Sequence, residues 1–167
     1  MRRSTLVVVI AIAVLLVAGG GVGVFRAHQL RTTVSARNLA LTDAGLTAQV
    51  QAQVSQTLTK VLSYDFSDPT PTEQAASALL AGDARSQYDT LLTTLKQKAP
   101  SQQLVLSAQV QSAAVKTLTA STATLLVFLD QSSQRAAEKQ PSVSAAQLKV
   151  DAARIDGTWK VTGLEPL

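Results

Sequence analysis

Two places in the chain set a tyrosine beside a carboxylate, Tyr64–Asp65 and Tyr88–Asp89, and a single histidine stands at position 28. A carboxylate and a tyrosine that converge in a cavity could perform acid–base catalysis. Both pairs fall in stretches of helical periodicity, where adjacent side chains point about 100° apart. Neither pair converges by its spacing. The plainer expectation is that Tyr64 and Tyr88 pack the rim of a core, with Asp65 exposed or capping. His28 lies among arginines with no carboxylate close in sequence, so it lacks a partner for switching or metal binding. A Ser–His–Asp triad would have to use it. The chain has no cysteine, which removes thiol catalysis, disulfides, cysteine-ligated metal and acylation at cysteine. No catalytic residue, cofactor or metal is expected. The single tryptophan, Trp159, is expected to anchor a core.

The elements that must position these residues begin with a hydrophobic run. Residues 6–25 carry no charge, and thirteen of them are Leu, Ile, Val or Phe. As a helix they would span about 30 Å, the thickness of a bilayer's hydrocarbon layer. At roughly −0.3 to −0.6 kcal/mol each, those thirteen favour insertion by about 4–8 kcal/mol before the glycines are discounted. Gly19, Gly20, Gly21 and Gly23 form either a small-residue seam for another membrane helix or a permissive helix end. The same glycines follow Ala18 in the manner of a signal-peptide cleavage region, but apolarity resumes at Val22, Val24 and Phe25. An uncleaved anchor is the expectation.

The net charge is +4, yet the basic excess flanks this run. Arg2, Arg3, Arg26 and Arg31 suit contacts with anionic lipid headgroups, and Arg37 lies a little further on. From Asn38 onward ten basic residues face eleven acidic ones. A nucleic-acid partner needs a basic face to displace counterions from phosphates, and this balance excludes one. Arginines on both sides of the run leave orientation undecided by charge. The organisation expected is a short tail at 1–5, an anchor at 6–25, a juxtamembrane stalk at 26–42 and a folded domain at 43–167.

Within that domain Leu46, Val50, Val54, Leu58, Val61 and Leu62 recur at helical spacing, and Asp68-Pro69 is expected to end the helix. Thr70, Pro71 and Glu73 have the pattern of a capping box that opens a second helix, closed by Gly82. Asp83 is expected to cap a third, with Tyr88, Leu91, Leu92 and Leu95 as its stripe and Pro100 after its end. From Leu104 the period becomes two. Four strands are expected: one from Leu104, a central one around residues 123–129 that is apolar on both faces, and a pair joined by the hairpin signal Asp156-Gly157. A polar loop covers residues 131–142. Helices followed by strands indicate an α+β fold, with three helices on one face of a curved four-stranded antiparallel sheet.

Several stretches, in order, resemble the actinobacterial Mce-associated membrane proteins. They are the anchor, Val61-Leu-Ser-Tyr-Asp-Phe66, Leu79-Leu-Ala-Gly-Asp-Ala-Arg-Ser-Gln-Tyr88, Leu125-Leu-Val-Phe-Leu-Asp-Gln-Ser-Ser133 and the terminal hairpin through Leu164-Glu-Pro-Leu167. Residues 135–141 are longer and more charged than the family pattern. The resemblance implies an NTF2-like cone, similar to a bitopic component of type IV secretion machines, held outside the cytoplasm by a single-pass anchor with a cytoplasmic N-terminus. It also implies an accessory, non-catalytic role in Mce complexes that import lipid across the envelope. The expected partners are then the plasma membrane, Mce transporter subunits and lipid. A lipid-binding cone and a secretion-machine component are the alternatives. Mass spectrometry of the membrane fraction should find the intact 6–25 segment; a mature N-terminus just after residues 18–21 would contradict the anchor.

Overall fold

The computed structural model describes residues 38–137 and 140–167. The proposed anchor, with Gly19, Gly20, Gly21, Gly23, Arg2, Arg3, Arg26, Arg31 and His28, lies outside the described residues. Among the described residues no helix is long and apolar enough to cross a membrane.

The elements run α1 (Ala44–Val61), β1 (Tyr64–Asp65), α2 (Thr70–Leu79), α3 (Gly82–Gln102), β2 (Val105–Leu118), β3 (Thr122–Gln134), β4 (Ser142–Ile155) and β5 (Thr158–Pro166). The strands form one antiparallel sheet in sequence order, so β3 is central as expected. The fold is α+β, but the sheet has five strands, not four. The added strand is the two residues Tyr64–Asp65, paired with Leu106 and Val105. Two residues are too few to show an alternation against the helical pattern before them.

That pairing requires α1 to stop at Val61, well short of Asp68-Pro69. Asp43 caps its start by accepting from the Leu46 amide at 2.8 Å. At its far end the Ser63 hydroxyl donates to the Thr59 carbonyl at 2.7 Å and accepts from the Ala108 amide at 3.1 Å, binding the helix end to β2. The folded unit starts at Leu39, ahead of the boundary read at 43, and the Leu39 amide donates to the Leu118 carbonyl.

The capping box at Thr70 does not form. Asp68 accepts from the Thr70 amide at 3.1 Å instead, and Glu73 pairs with Lys96 of α3 at 2.7 Å. The third helix begins at Gly82, ahead of Asp83, with a φ of 55° that favours glycine. Pro100 does not end it. It sits in the last turn, where only one backbone bond is forfeited, and the left-handed Gln103 (φ 48°) makes the stop.

The polar loop at 131–142 is shorter than expected. Gln131 pairs with Ser144 and Ser133 with Ser142, so β3 and β4 extend through polar residues. Their backbones satisfy each other without an apolar alternation. The Asp156-Gly157 turn is as read, with φ of 52° and 79° at its two central residues.

The core lies between the helices and one sheet face. It joins Val50, Val54 and Leu58 of α1 with Leu118, Leu125, Val127, Val150, Trp159 and Val161 of the sheet. On the other face Phe128 is 43% exposed. Trp159 is buried in this core. Trp159→Ala should therefore cost about 3–5 kcal/mol of stability, measured by urea unfolding; a loss below ~1 kcal/mol would mean that the ring contributes little to packing.

Candidate functional site

The second half of α3 and the start of β2 are joined by two residues, Gln103 and Leu104, and a cleft opens in the wedge between them. Its volume is about 420 Å³. The floor is Val61, Tyr64, Tyr88 and Leu104, all buried. Leu62, Leu92, Leu95 and Leu106 form the walls. Tyr64, Ala99 and Leu104 make a small core of their own, separate from the main one, and Leu92, Leu95 and Leu106 pack against it. Leu91, read as part of a buried stripe, instead stands 68% exposed on the lip. Polar groups gather at the rim: Thr94, Lys98, Gln102 and Gln131.

The rim is fastened by Arg135 and Ala136. The Arg135 guanidinium Nε donates to Gln102 Oε1 at 2.9 Å, and the Ala136 amide donates to the Gln102 carbonyl at 3.0 Å. These two residues therefore pin the C-terminal end of α3.

On the floor, the Tyr88 hydroxyl donates to the Val61 carbonyl at 2.8 Å, across 27 residues of sequence. Burial pushes the Tyr88 phenol up to about 12, against a smaller opposing effect of Arg85. Burial also raises Tyr64, and nearby Lys96 opposes it. The hydrogen bond to Glu73 holds the Lys96 ammonium above its usual range. The Lys98 carbonyl accepts from the Ser101 hydroxyl, but its side-chain ammonium, at the rim, has no hydrogen-bonded or ionic partner among the described residues.

The two tyrosine–carboxylate pairs do not converge. Tyr64 is buried while Asp65 is exposed, as neighbours on a strand must be. The Asp65 carboxylate accepts from the hydroxyl and the amide of Ser67, which holds it below its usual range. Asp89 pairs with Arg85 at 2.9 Å on the surface, away from the Tyr88 hydroxyl's bond to Val61. Among the described residues no three His, Cys, Asp or Glu side chains are grouped to hold a metal ion. The cleft itself presents mainly apolar side chains. Sequence reading marked Tyr64, Tyr88 and the α3 leucines but not the cleft between them. The usable signal was Leu91 beside Leu92 and Leu95, an apolar stripe wider than one buried face requires.

No protein-family profile matches the chain. It is 32% identical over 160 residues, 95% of this chain and 70% of theirs, to the uncharacterized proteins Rv1362c and MT1407 of Mycobacterium tuberculosis. Among solved structures, an IcmL-like type IV secretion system protein from Legionella pneumophila is similar in fold, with TM-score 0.61, 11% identity, and coverage of 72% of this chain and 91% of that one. A periplasmic fragment of TraM is similar with TM-score 0.53, 11% identity, and coverage of 69% and 92%.

Tyr88→Phe leaves the Val61 carbonyl without its donor and should cost about 1–3 kcal/mol in denaturant unfolding at neutral pH. The phenol's raised value means that its contribution is complete below its unfolded value of 10.0 and is lost as pH rises through about 12. The stability gap between wild type and variant should therefore narrow above pH 10.0. A gap that stays constant through that range would contradict the assignment.

Proposed function

We propose, for a chain that belongs to the family of the Mycobacterium tuberculosis proteins Rv1362c and MT1407, that it is a non-catalytic accessory subunit of a multi-subunit envelope machine, and that its α+β domain works outside the cytoplasm. The observation that carries this reading is the fold, shared with a type IV secretion system protein and with a periplasmic fragment of TraM at 11% identity. Fold alone does not assign chemistry. What supports a contact role is how the described side chains are used. The carboxylates Asp65, Glu73 and Asp89 and the hydroxyl of Tyr88 are engaged in structural bonds, and the cleft between α3 and β2 is walled by leucines.

The finer reading is that this machine is an Mce-type lipid importer. The ordered motifs from Val61 to Leu167 and the mycobacterial relatives favour it. The likeness to secretion-system proteins favours the second reading, a component of a secretion-type membrane machine. In both, the 6–25 segment would hold the domain at the plasma membrane, and the glycines within it would pack against another subunit.

Deletion of the gene distinguishes the two. As an importer subunit, its loss should lower the abundance of the transporter's other subunits and slow uptake of the lipid, both read in the same cells by quantitative proteomics and labelled-lipid uptake. If subunit levels and uptake stay unchanged, the importer reading fails and the secretion-type reading takes its place.

A further inference from the structure

The wedge cleft divides its chemistry by depth. The buried floor and the half-buried walls are apolar, supplied by residues such as Tyr64, Leu92, Leu95 and Leu104. The hydrogen-bonding groups Thr94, Gln102 and Gln131 and the charge of Lys98 line the same cleft, and Thr94, Lys98 and Gln102 are exposed. No carboxylate lines it, and the Lys98 ammonium has no partner among the described residues. An unpaired cation at the mouth of an apolar cleft favours a ligand with a tail and a negative head. A volume of about 420 Å³ accommodates one alkyl chain better than a bulky multi-chain lipid.

We propose that the cleft between α3 and β2 binds one single-chain amphiphile with an anionic headgroup, its tail on the Tyr64–Leu104 floor and its head at Lys98. A free fatty acid and an anionic lysolipid share this chemistry. The site does not depend on the subunit role argued above, because it follows from the shape and charge of the cleft alone. It makes use of two features that packing leaves unexplained. Leu91 stays exposed beside an open apolar surface, where a bound tail would shield it. The bonds of Arg135 and Ala136 to Gln102 hold the mouth in place, so the site is formed before a ligand arrives.

The test uses the full chain in zwitterionic phosphatidylcholine nanodiscs with a diazirine-bearing palmitate, and peptides are mapped by mass spectrometry after irradiation. Labelling should fall on residues 91–106 and be competed by palmitate or by lysophosphatidylglycerol, whichever source is preferred, but not by palmitate methyl ester. Lys98 is exposed, so Lys98→Glu should leave the fold intact. It should weaken palmitate labelling roughly fivefold or more and make hexadecylamine the better competitor. Leu91→Gln, also at an exposed position, should weaken labelling by both anionic probes. Labelling spread outside the cleft, or equal competition by the neutral ester, overturns the proposal. So does labelling unaffected by Lys98→Glu. In native membranes, p-benzoylphenylalanine in place of Leu91 should yield an adduct with the mass of one amphiphile. An adduct to a second copy of the chain or to another protein would make the cleft a protein-docking groove, and the proposal would fail.

Discussion

The last turn of α1 has carbonyls with no partner of their own helix, and the domain is built around satisfying them. The Val61 carbonyl accepts from Tyr88 of α3, and the Ser63 carbonyl accepts from the Thr72 hydroxyl of α2 at 2.7 Å. The Ser63 hydroxyl reaches the Ala108 amide of β2. Three helices and the sheet are thus tied together within three residues. A buried carbonyl left without a donor costs far more than the bond itself contributes, so each of these contacts constrains where the next element lies. Tyr88 must descend from α3 to Val61, and Thr72 must sit at the start of α2, immediately behind the Asp68-Pro69 turn.

The cleft follows from the same junction. Tyr88 draws the middle of α3 down onto the end of α1, while Gln103 turns its C-terminal end directly into β2. Held at those two points, α3 leaves an opening between itself and the start of β2. Leu92 and Leu95 pack against the small core of Tyr64, Ala99 and Leu104, and Leu91 remains outside. The Glu73–Lys96 pair and the Gln102–Arg135 bond brace α3 on either side of the opening. Both are surface contacts, so each adds little to stability, and their effect is on geometry.

The described side chains divide by use. Side-chain hydrogen bonds of Ser63, Thr72 and Tyr88 join the helices and β2, and most buried apolar side chains form the main core or the smaller one beside the cleft. The sheet face opposite the helices keeps Phe128 and Val143 exposed among Ser, Thr and Gln side chains. The edge of β2 carries bulges at Val110/Ser112 and Val115/Thr117, which twist the strand and discourage pairing with a stray chain.

The periods of the sequence determined the order of three helices and the four long strands, the central place of β3, the burial of Trp159 and the Asp156-Gly157 hairpin. Each of these depends on local spacing: apolar residues at three and four, alternation at two, and a dipeptide that tolerates positive φ. Helix ends and the cleft were decided by tertiary structure. α1 stops at Val61 because Ser63 and Tyr64 find partners on a strand more than forty residues away, and no local signal marks that distance. Glu73 serves an ion pair instead of a capping box because α3 presents Lys96 to it. Polar stretches at 131–134 and 142–144 are strands because they face each other. The leucines of α3 were legible as apolar, but which of them is buried and which borders an opening depends on where Tyr88 and Gln103 hold the helix. Spacing records the faces of an element, whereas a cleft is a gap between elements, and its position follows from the contacts that set them apart.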